Sequence, residues 1–319
     1  MEHGMELDDY IAMSETELVS RILSAKRRKN AVILAHNYQR LEVQHVADHI
    51  GDSLGLSRIA AGTGADLVVF CGVDFMAESA KILSPGKTVL IPEIRATCPM
   101  AGMVTPDALE EAKRARPEAV VVAYVNTTAR VKALTDICCT SANALEVVRS
   151  VRDREILFIP DRNLADYVKT MTGADIRPWD GYCYVHNFLT DDDVHRARRE
   201  HPEAVFLIHP EAPPEVVRLA DRVLSTTGMA EYVAGMRADE EKRKGVIIGT
   251  EIGLVHQLRE KHPDIGIWPL SEFAVCGTMK MTTLPKVCWS IETGNYEVTL
   301  PDEVIEKARR ALERMLEMK

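Results

Sequence analysis

A chain of 319 residues, 46% of them hydrophobic, is long enough for two or three small domains with cores of their own. Its net charge of −9 argues against a general nucleic-acid binder and leaves room for a local basic pocket that takes an acidic metabolite. The opening residues, MEHGMELDDY, lack the basic-then-apolar pattern of a signal peptide. No apolar run approaches the roughly 20 residues of a membrane-spanning helix, so the expectation is a soluble, cytoplasmic protein. Seven cysteines in a reducing compartment are no disulfide framework; each is a buried small hydrophobe, a metal ligand or a nucleophile.

The first thirty residues read as one amphipathic helix, with Leu18, Val19, Ile22 and Leu23 at helical spacing and Arg27, Arg28 and Lys29 near its end. A repeat follows. Each unit opens with an apolar strand that runs into polar residues: AVILAHNY from Ala31, AVVVAYVN from Ala119 and AVFLIHPEA from Ala204, with starts 88 and 85 residues apart. After a helical stretch comes a second strand and helix, from Asp66, Glu155 and Gly245. A shorter third strand begins near Lys87, Ala174 and Ile265. Continuous apolar strands alternating with helices imply parallel sheets covered on both faces. The expected fold is therefore α/β: three similar αβα, Rossmann-like domains. They span 1–106 (with the N-terminal helix), 107–190 and 191–290. A segment over 291–319, helical from Pro301, packs back on the body through Ile305, Ala308, Ala311 and Leu312.

Ligands of open α/β sheets bind beyond the carboxyl ends of the strands. Those ends carry His36-Asn37-Tyr38, Tyr124, Asn126 and Thr127, and His209 with Glu211. Each unit also delivers a cysteine shortly after its third strand: Cys98, Cys183 and Cys276, 85 and 93 residues apart. Three equivalent positions on three similar domains can meet near a pseudo-threefold axis, where three thiolates would hold a cluster with one iron unligated by protein. The spacing contains no C-x-x-C, against a structural zinc site or a simple electron-transfer centre. Cys71, Cys138, Cys139 and Cys288 read as structural. Ser53, Ser141 and Thr226 stand just ahead of helical stretches. They either cap those helices or present hydroxyls to one anion. There is no G-x-G-x-x-G and no G-x-x-x-x-G-K-[ST], so a dinucleotide or ATP site is unsupported.

LAHNYQ, IGDSLGLSR, GVDFMAESAKIL, ATCPM, YVNTTA, CTSANALEVV, PDRNLADYV, GYCYVH, IHPEA and CGTMKM, in this order from about Val32 to the C-terminus, together resemble the quinolinate synthase family. The resemblance implies three αβα domains in pseudo-threefold arrangement around a central [4Fe-4S] cluster held by Cys98, Cys183 and Cys276. It implies a transferase with dehydratase-like cluster chemistry, in NAD biosynthesis. Iminoaspartate, supplied by an aspartate oxidase or dehydrogenase, condenses with dihydroxyacetone phosphate to give quinolinate, phosphate and two waters. By the same resemblance His36, Ser53, Tyr124, Asn126, Ser141, His209, Glu211 and Thr226 bind substrate. Tyr38 and Glu211, helped by His209 and Tyr124, are the acid–base candidates. His209 and Glu211, two apart on an extended strand end, should point the same way, and Tyr124 with Asn126 should line the opposite wall. His186, three after Cys183, is expected to support the site from behind. The family's S-T-G-G turn reads Ser225-Thr226-Thr227-Gly228, which offers two hydroxyls. Two other readings use the same residues: a zinc-dependent lyase or aldolase on the three cysteines, and a non-catalytic dicarboxylate sensor.

Overall fold

The computed structural model describes residues 5–236 and 244–318. Within them the strands run β1 (Ala31–His36), β2 (His49–Gly51), β3 (Leu67–Cys71) and β4 (Thr88–Leu90). The second set is β5 (Val120–Tyr124), β6 (Ile137–Cys139), β7 (Ile156–Ile159) and β8 (Ile176–Pro178). The third is β9 (Val205–Ile208), β10 (Arg222–Val223), β11 (Val246–Gly249) and β12 (Ile267–Pro269). They form three four-stranded parallel sheets of one topology, second–first–third–fourth in strand order. The fold is α/β, three αβα units in succession. β3, β5, β7 and β11 are buried at every residue, which is why they read as unbroken apolar runs rather than alternating ones.

The sequence reading missed the short edge strand of the first and third sheets; that of the second was read as a strand around Cys138 and Cys139. β2, β6 and β10 are only three, three and two residues long, too short for a hydrophobic period; only the Cys138–Cys139 stretch looked like a strand. Each is preceded by an aspartate that reaches back to the central strand: Asp48 accepts from Ile33 N–H at 2.8 Å, Asp136 from Val121 N–H at 2.7 Å and Asp221 from Phe206 N–H at 2.7 Å. Three identical ties at the start of each edge strand make the repeat physical, not only statistical.

The N-terminal segment is two helices, Leu7–Ile11 and Glu15–Arg28, not one. Ser14 caps the second by accepting from Glu17 N–H, and that break turns Tyr10 inward to the side chain of Glu292. Residues 1–4 of the expected helix lie outside the described residues. Helix Leu284–Thr293 covers one face of the first sheet: Val287, Cys288 and Ile291 pack with Leu18, Ile22, Ile33 and Val69. The C-terminal helix, Asp302–Glu317, lies across the seam between the first two units and buries Ala308, Ala311, Leu312 and Met315 there. Leu312 and Met315 each contribute about 1.5–3 kcal/mol of burial, and the two alanine methyls roughly 0.8 kcal/mol apiece. No helix among the described residues is long and apolar enough to cross a membrane.

Candidate active site

The carboxyl ends of all three sheets open on one cavity of about 750 Å³, its mouth included. His36, Tyr38 and Ser53 enter it from the first unit. Tyr124, Asn126 and Ser141 enter from the second, and His209, Glu211 and Thr226 from the third. Cys98, Cys183 and Cys276 line it too, one from each unit. The cavity thus collects every residue singled out for chemistry, whereas Cys71, Cys138, Cys139 and Cys288 are buried elsewhere, in strands and in the helix over the first sheet.

Three equivalent carboxylates hold the cysteine loops. Cys98 N–H donates to Asp74 at 3.1 Å, Cys183 N–H to Asp161 at 3.2 Å and Cys276 N–H to Glu251 at 3.1 Å. Each acid stands at the start of the helix that follows the unit's second long strand. Asp161 and Glu251 also cap those helices, accepting from Leu164 N–H at 2.7 Å and Gly253 N–H at 2.6 Å. Burial pushes all three carboxyls up; the helix amides and the cysteine amides work in the opposite direction. Sequence reasoning missed this set, although an acidic residue recurs 24, 22 and 25 positions before Cys98, Cys183 and Cys276.

The cysteines themselves are unpaired. Burial pushes the Cys98 thiol up to about 12 and raises those of Cys183 and Cys276; Cys183 also feels the charge of both other cysteines, and Cys98 that of Cys276. Among the described residues, the one set of three metal-ligating side chains whose donor atoms all fall within 4.8 Å is Cys183, His186 and Glu211. The three sulfurs are therefore spread more widely than that. A single tetrahedral ion with bonds of about 2.3 Å would draw them to roughly 3.8 Å apart. Three soft thiols converging on one cavity, one from each unit, are the donor type that an iron–sulfur group takes.

The two strand-end histidines share a geometry. Nδ1 of His36 accepts from Tyr38 N–H at 3.2 Å, and Nδ1 of His209 accepts from Glu211 N–H at 3.4 Å. Burial holds both rings down at about 3, so near pH 7 they are neutral and carry their hydrogen on Nε2. That of His209 meets Ser141 Oγ at 3.1 Å. The three hydroxyls expected near the helix starts are not caps. Asp52 caps in place of Ser53, through Gly55 N–H at 2.9 Å. Ser225 caps in place of Thr226, through Gly228 N–H at 3.1 Å. The helix after Ser141 starts at Ala144, with Asn143 at its cap position. Ser53, Ser141 and Thr226 therefore keep their oxygens for the cavity. Thr226 accepts from Asn37 Nδ2 at 2.9 Å, while Thr227 faces an outer groove.

Glu211 is 3% exposed. Its carboxylate accepts from His186 Nδ1 at 2.7 Å and from the Tyr124 hydroxyl. Tyr124 and Glu211 are thus in contact, not on opposite walls as the strand geometry suggested, because the second and third units approach closely here. Burial would raise the Glu211 carboxyl, but the neighbouring imidazoles and these two hydrogen bonds outweigh it and hold it below the usual carboxylate range. Tyr38 and Tyr124 are raised well above 10 by burial, then by the charge of Glu211, and remain protonated donors. His186 stacks on His209 with ring centroids 4.6 Å apart. Asn126 Oδ1 is buried without a partner, an acceptor left for a ligand. Lys280 donates to Tyr38 O and pairs with Glu251 Oε1 at 3.1 Å, tying the third cysteine loop to the first strand end.

Residues 20–317 match the family model described as quinolinate synthetase A protein. The chain is 52% identical over 305 residues to a quinolinate synthase of Methanoregula boonei, covering 95% of this chain and 99% of that one. It is 50% identical over 307 residues to one of Methanosarcina barkeri (96% and 99%). It is 47% identical over 299 residues to one of Thermodesulfovibrio yellowstonii (93% and 97%). With the family model covering nearly the whole chain and half the residues shared with such relatives, the chain belongs to the quinolinate synthase family.

Proposed function

We propose that this protein is a quinolinate synthase that condenses iminoaspartate with dihydroxyacetone phosphate, releasing phosphate and two waters, with Cys98, Cys183 and Cys276 holding a [4Fe-4S] cluster. One observation carries the reading. A single cavity unites one cysteine from each of three units with two neutral imidazoles, three hydroxyls not spent on helix caps and an ionised carboxylate bonded to a tyrosine. When bound, the cluster supplies a Lewis acid at the iron its three cysteines leave open, which suits the loss of hydroxide.

The remaining roles belong to side chains. Nε2–H of His36 and of His209, with the hydroxyls of Ser53, Ser141 and Thr226, are donors without positive charge. They bind carboxylate and phosphate oxygens and leave the protonation of the site undisturbed. Asn126 supplies an acceptor, or its amide hydrogens, to the same ligand. Glu211, ionised and shielded from water, takes protons from carbon as the ring forms. Tyr38 and Tyr124, protonated across the working pH range, donate to developing oxyanions. Seven unpaired cysteines are in keeping with a reducing, cytoplasmic setting, and iminoaspartate would come from an aspartate oxidase or dehydrogenase. A sensor that only binds dicarboxylate needs donors and has no use for the ionised Glu211 carboxylate as a base.

The test is anaerobic purification with iron and sulfide analysis and a quinolinate assay on the same sample. About four irons per chain with quinolinate formation support the proposal. Zinc in place of iron, or iron without quinolinate, overturns it.

A further inference from the structure

Among the described residues no lysine or arginine lines the central cavity. Positive charge stands behind its wall instead. Lys280 is one such group, paired with Glu251. The other is Lys132, which is 0% exposed and ends the four-residue helix Ala129–Lys132 of the second unit. A lysine is almost never fully buried unless something holds its ammonium. Here the ammonium donates to Thr127 O, just past the end of β5, and sits 5.3 Å from the centroid of the Phe75 ring. Phe75 belongs to the first unit and lines the cavity.

The helix that carries Phe75, Asp74–Leu83, bears two carboxylates one turn apart, Asp74 and Glu78. Asp74 accepts from Cys98 N–H at 3.1 Å. Glu78 Oε2 accepts from Ala129 N–H at 2.7 Å, so the first unit caps the short helix of the second that ends in Lys132. Burial raises both carboxyls, and the charge of Lys132 works against it in both. Burial lowers the Lys132 ammonium, and the charges of Cys138, Glu78, Asp74 and Cys98 oppose that. Of these, Cys138 has its thiol pushed up to about 12 by burial and is uncharged near pH 7, whereas Cys98 is a thiolate once it ligates iron. One lysine of the second unit thus acts through space on the acid that holds the Cys98 loop of the first. It also bonds the residue after Asn126, whose amide awaits a ligand.

We infer that Lys132 is a positioning residue of the cluster site. Its buried ammonium spans the boundary between the first two units: it holds the strand end at Thr127 and supplies the positive charge that balances Asp74 and Glu78 beside the Cys98 loop. The redox part of the inference rests on the proposed ligation of iron by Cys98; the part that concerns the unit boundary does not.

Two substitutions of opposite charge test it. Lys132→Met keeps the length of the stem and removes the positive charge. Glu78→Gln keeps an oxygen for Ala129 N–H and removes a negative one. Both are read on anaerobically purified holoenzyme. The reduction potential of a cluster follows the net charge around it. Lys132→Met should therefore lower the midpoint potential, Glu78→Gln should raise it, and the double variant should return toward the parent. A role in packing alone does not reverse sign between the two. Iron loss to a chelator should be about 10–100-fold faster in Lys132→Met. The same variant should melt several degrees lower, and adding Glu78→Gln should restore part of that loss, because it removes an acid left without its counter-charge. Potentials that stay in place, or that move the same way in both single variants, overturn the inference. If Lys132→Met holds no iron, the Glu78→Gln potential decides: a rise supports the inference and the absence of one overturns it. A parent without iron overturns the cluster reading instead. The melting cycle then decides alone, and strictly additive losses refute the coupling of Lys132 to Glu78.

Discussion

Glu211→Gln is the most direct perturbation of the proposed chemistry. The side chain keeps its size and one carbonyl oxygen, which still accepts from Tyr124. Its new amide replaces Oε2, the partner of His186 Nδ1 at 2.7 Å, and sets donor against donor. A buried hydrogen bond to a charged group contributes about 1.5–3 kcal/mol, and rotation of the amide or a change of tautomer recovers part of it. Against this, the substitution removes a buried anion whose desolvation is unfavourable. The two effects oppose each other, so stability near pH 7 should change by no more than about 1–2 kcal/mol. Turnover behaves otherwise. Loss of a general base costs about 10²–10⁴-fold, and among the described residues the only other carboxylate that lines the cavity is Asp52, which caps a helix through Gly55. The expected variant is folded, brown and substrate-binding, with quinolinate formation at least about a hundredfold slower. Acid stability supplies a second reading. The folded carboxyl lies below its ordinary value, so its contribution is complete above the unfolded pKa of about 4.3 and is lost as pH falls toward the folded one. The Gln variant lacks that loss and should show a flatter stability curve below about pH 4. Turnover within about threefold of the parent would refute the role of Glu211 and leave Tyr38 as the leading candidate.

Replacing Cys98, Cys183 or Cys276 by Ala should each abolish the broad absorption near about 400 nm together with activity. Cys71→Ala and Cys288→Ala, in cores away from the cavity, should keep the colour; the opposite pattern would mean the ligands are misassigned. Asp161→Asn cannot accept from both Leu164 N–H and Cys183 N–H through carboxylate oxygens. It should lose about 1–3 kcal/mol, a melting temperature several degrees lower, with iron bound less tightly to a chelator challenge. An unchanged melting curve would remove Asp161 from the loop-holding set. In Gly253→Ala, the new Cβ would sit 2.5 Å from Lys280 Nζ and 2.7 Å from Tyr38 O. Calorimetry should show about 1–3 kcal/mol of destabilisation as Lys280 is displaced.

The long strands and the cysteines were legible because each leaves a mark on a scale the sequence preserves. β1, β5 and β9 are apolar runs ending in chemistry-bearing side chains, and Cys98, Cys183 and Cys276 keep step with them. β2 and β10 were not legible from hydropathy, since two or three residues have no period, and β6 showed only as the short apolar stretch at Cys138 and Cys139. Their signal is a side-chain tie, the aspartate in Ala47-Asp48, Thr135-Asp136 and Ala220-Asp221, visible only when the three units are laid over one another. Ser53 and Thr226 read equally as caps or as ligand contacts because neighbouring residues, Asp52 and Ser225, also suit the cap position, and one residue of shift decides the matter. Thr250, whose buried hydroxyl lies 2.6 Å from that of Tyr38 and 2.8 Å from His186 Nε2, left no trace at all. A single threonine after a strand is common, and its meaning comes from Tyr38, 212 residues away, and His186, 64 away.

What the three units share and where they differ separates two demands on the site. The acid–cysteine pairs Asp74–Cys98, Asp161–Cys183 and Glu251–Cys276 keep one chemistry in all three, as a centre ligated equally from three sides requires. The strand-end pairs diverge: His36 with Tyr38, Tyr124 with Asn126, His209 with Glu211. In the first and third, an imidazole at the earlier position accepts the amide of the later one and turns its Nε2 to the cavity. A tyrosine cannot accept in that way from the same place, and Tyr124 instead reaches across the unit boundary to Glu211. One backbone geometry thus yields two neutral anion donors, two phenolic hydroxyls of which one crosses the unit boundary, one amide and one carboxylate. A ligand bound among them meets a different group on every side, which is what joining two unlike substrates in a fixed orientation demands.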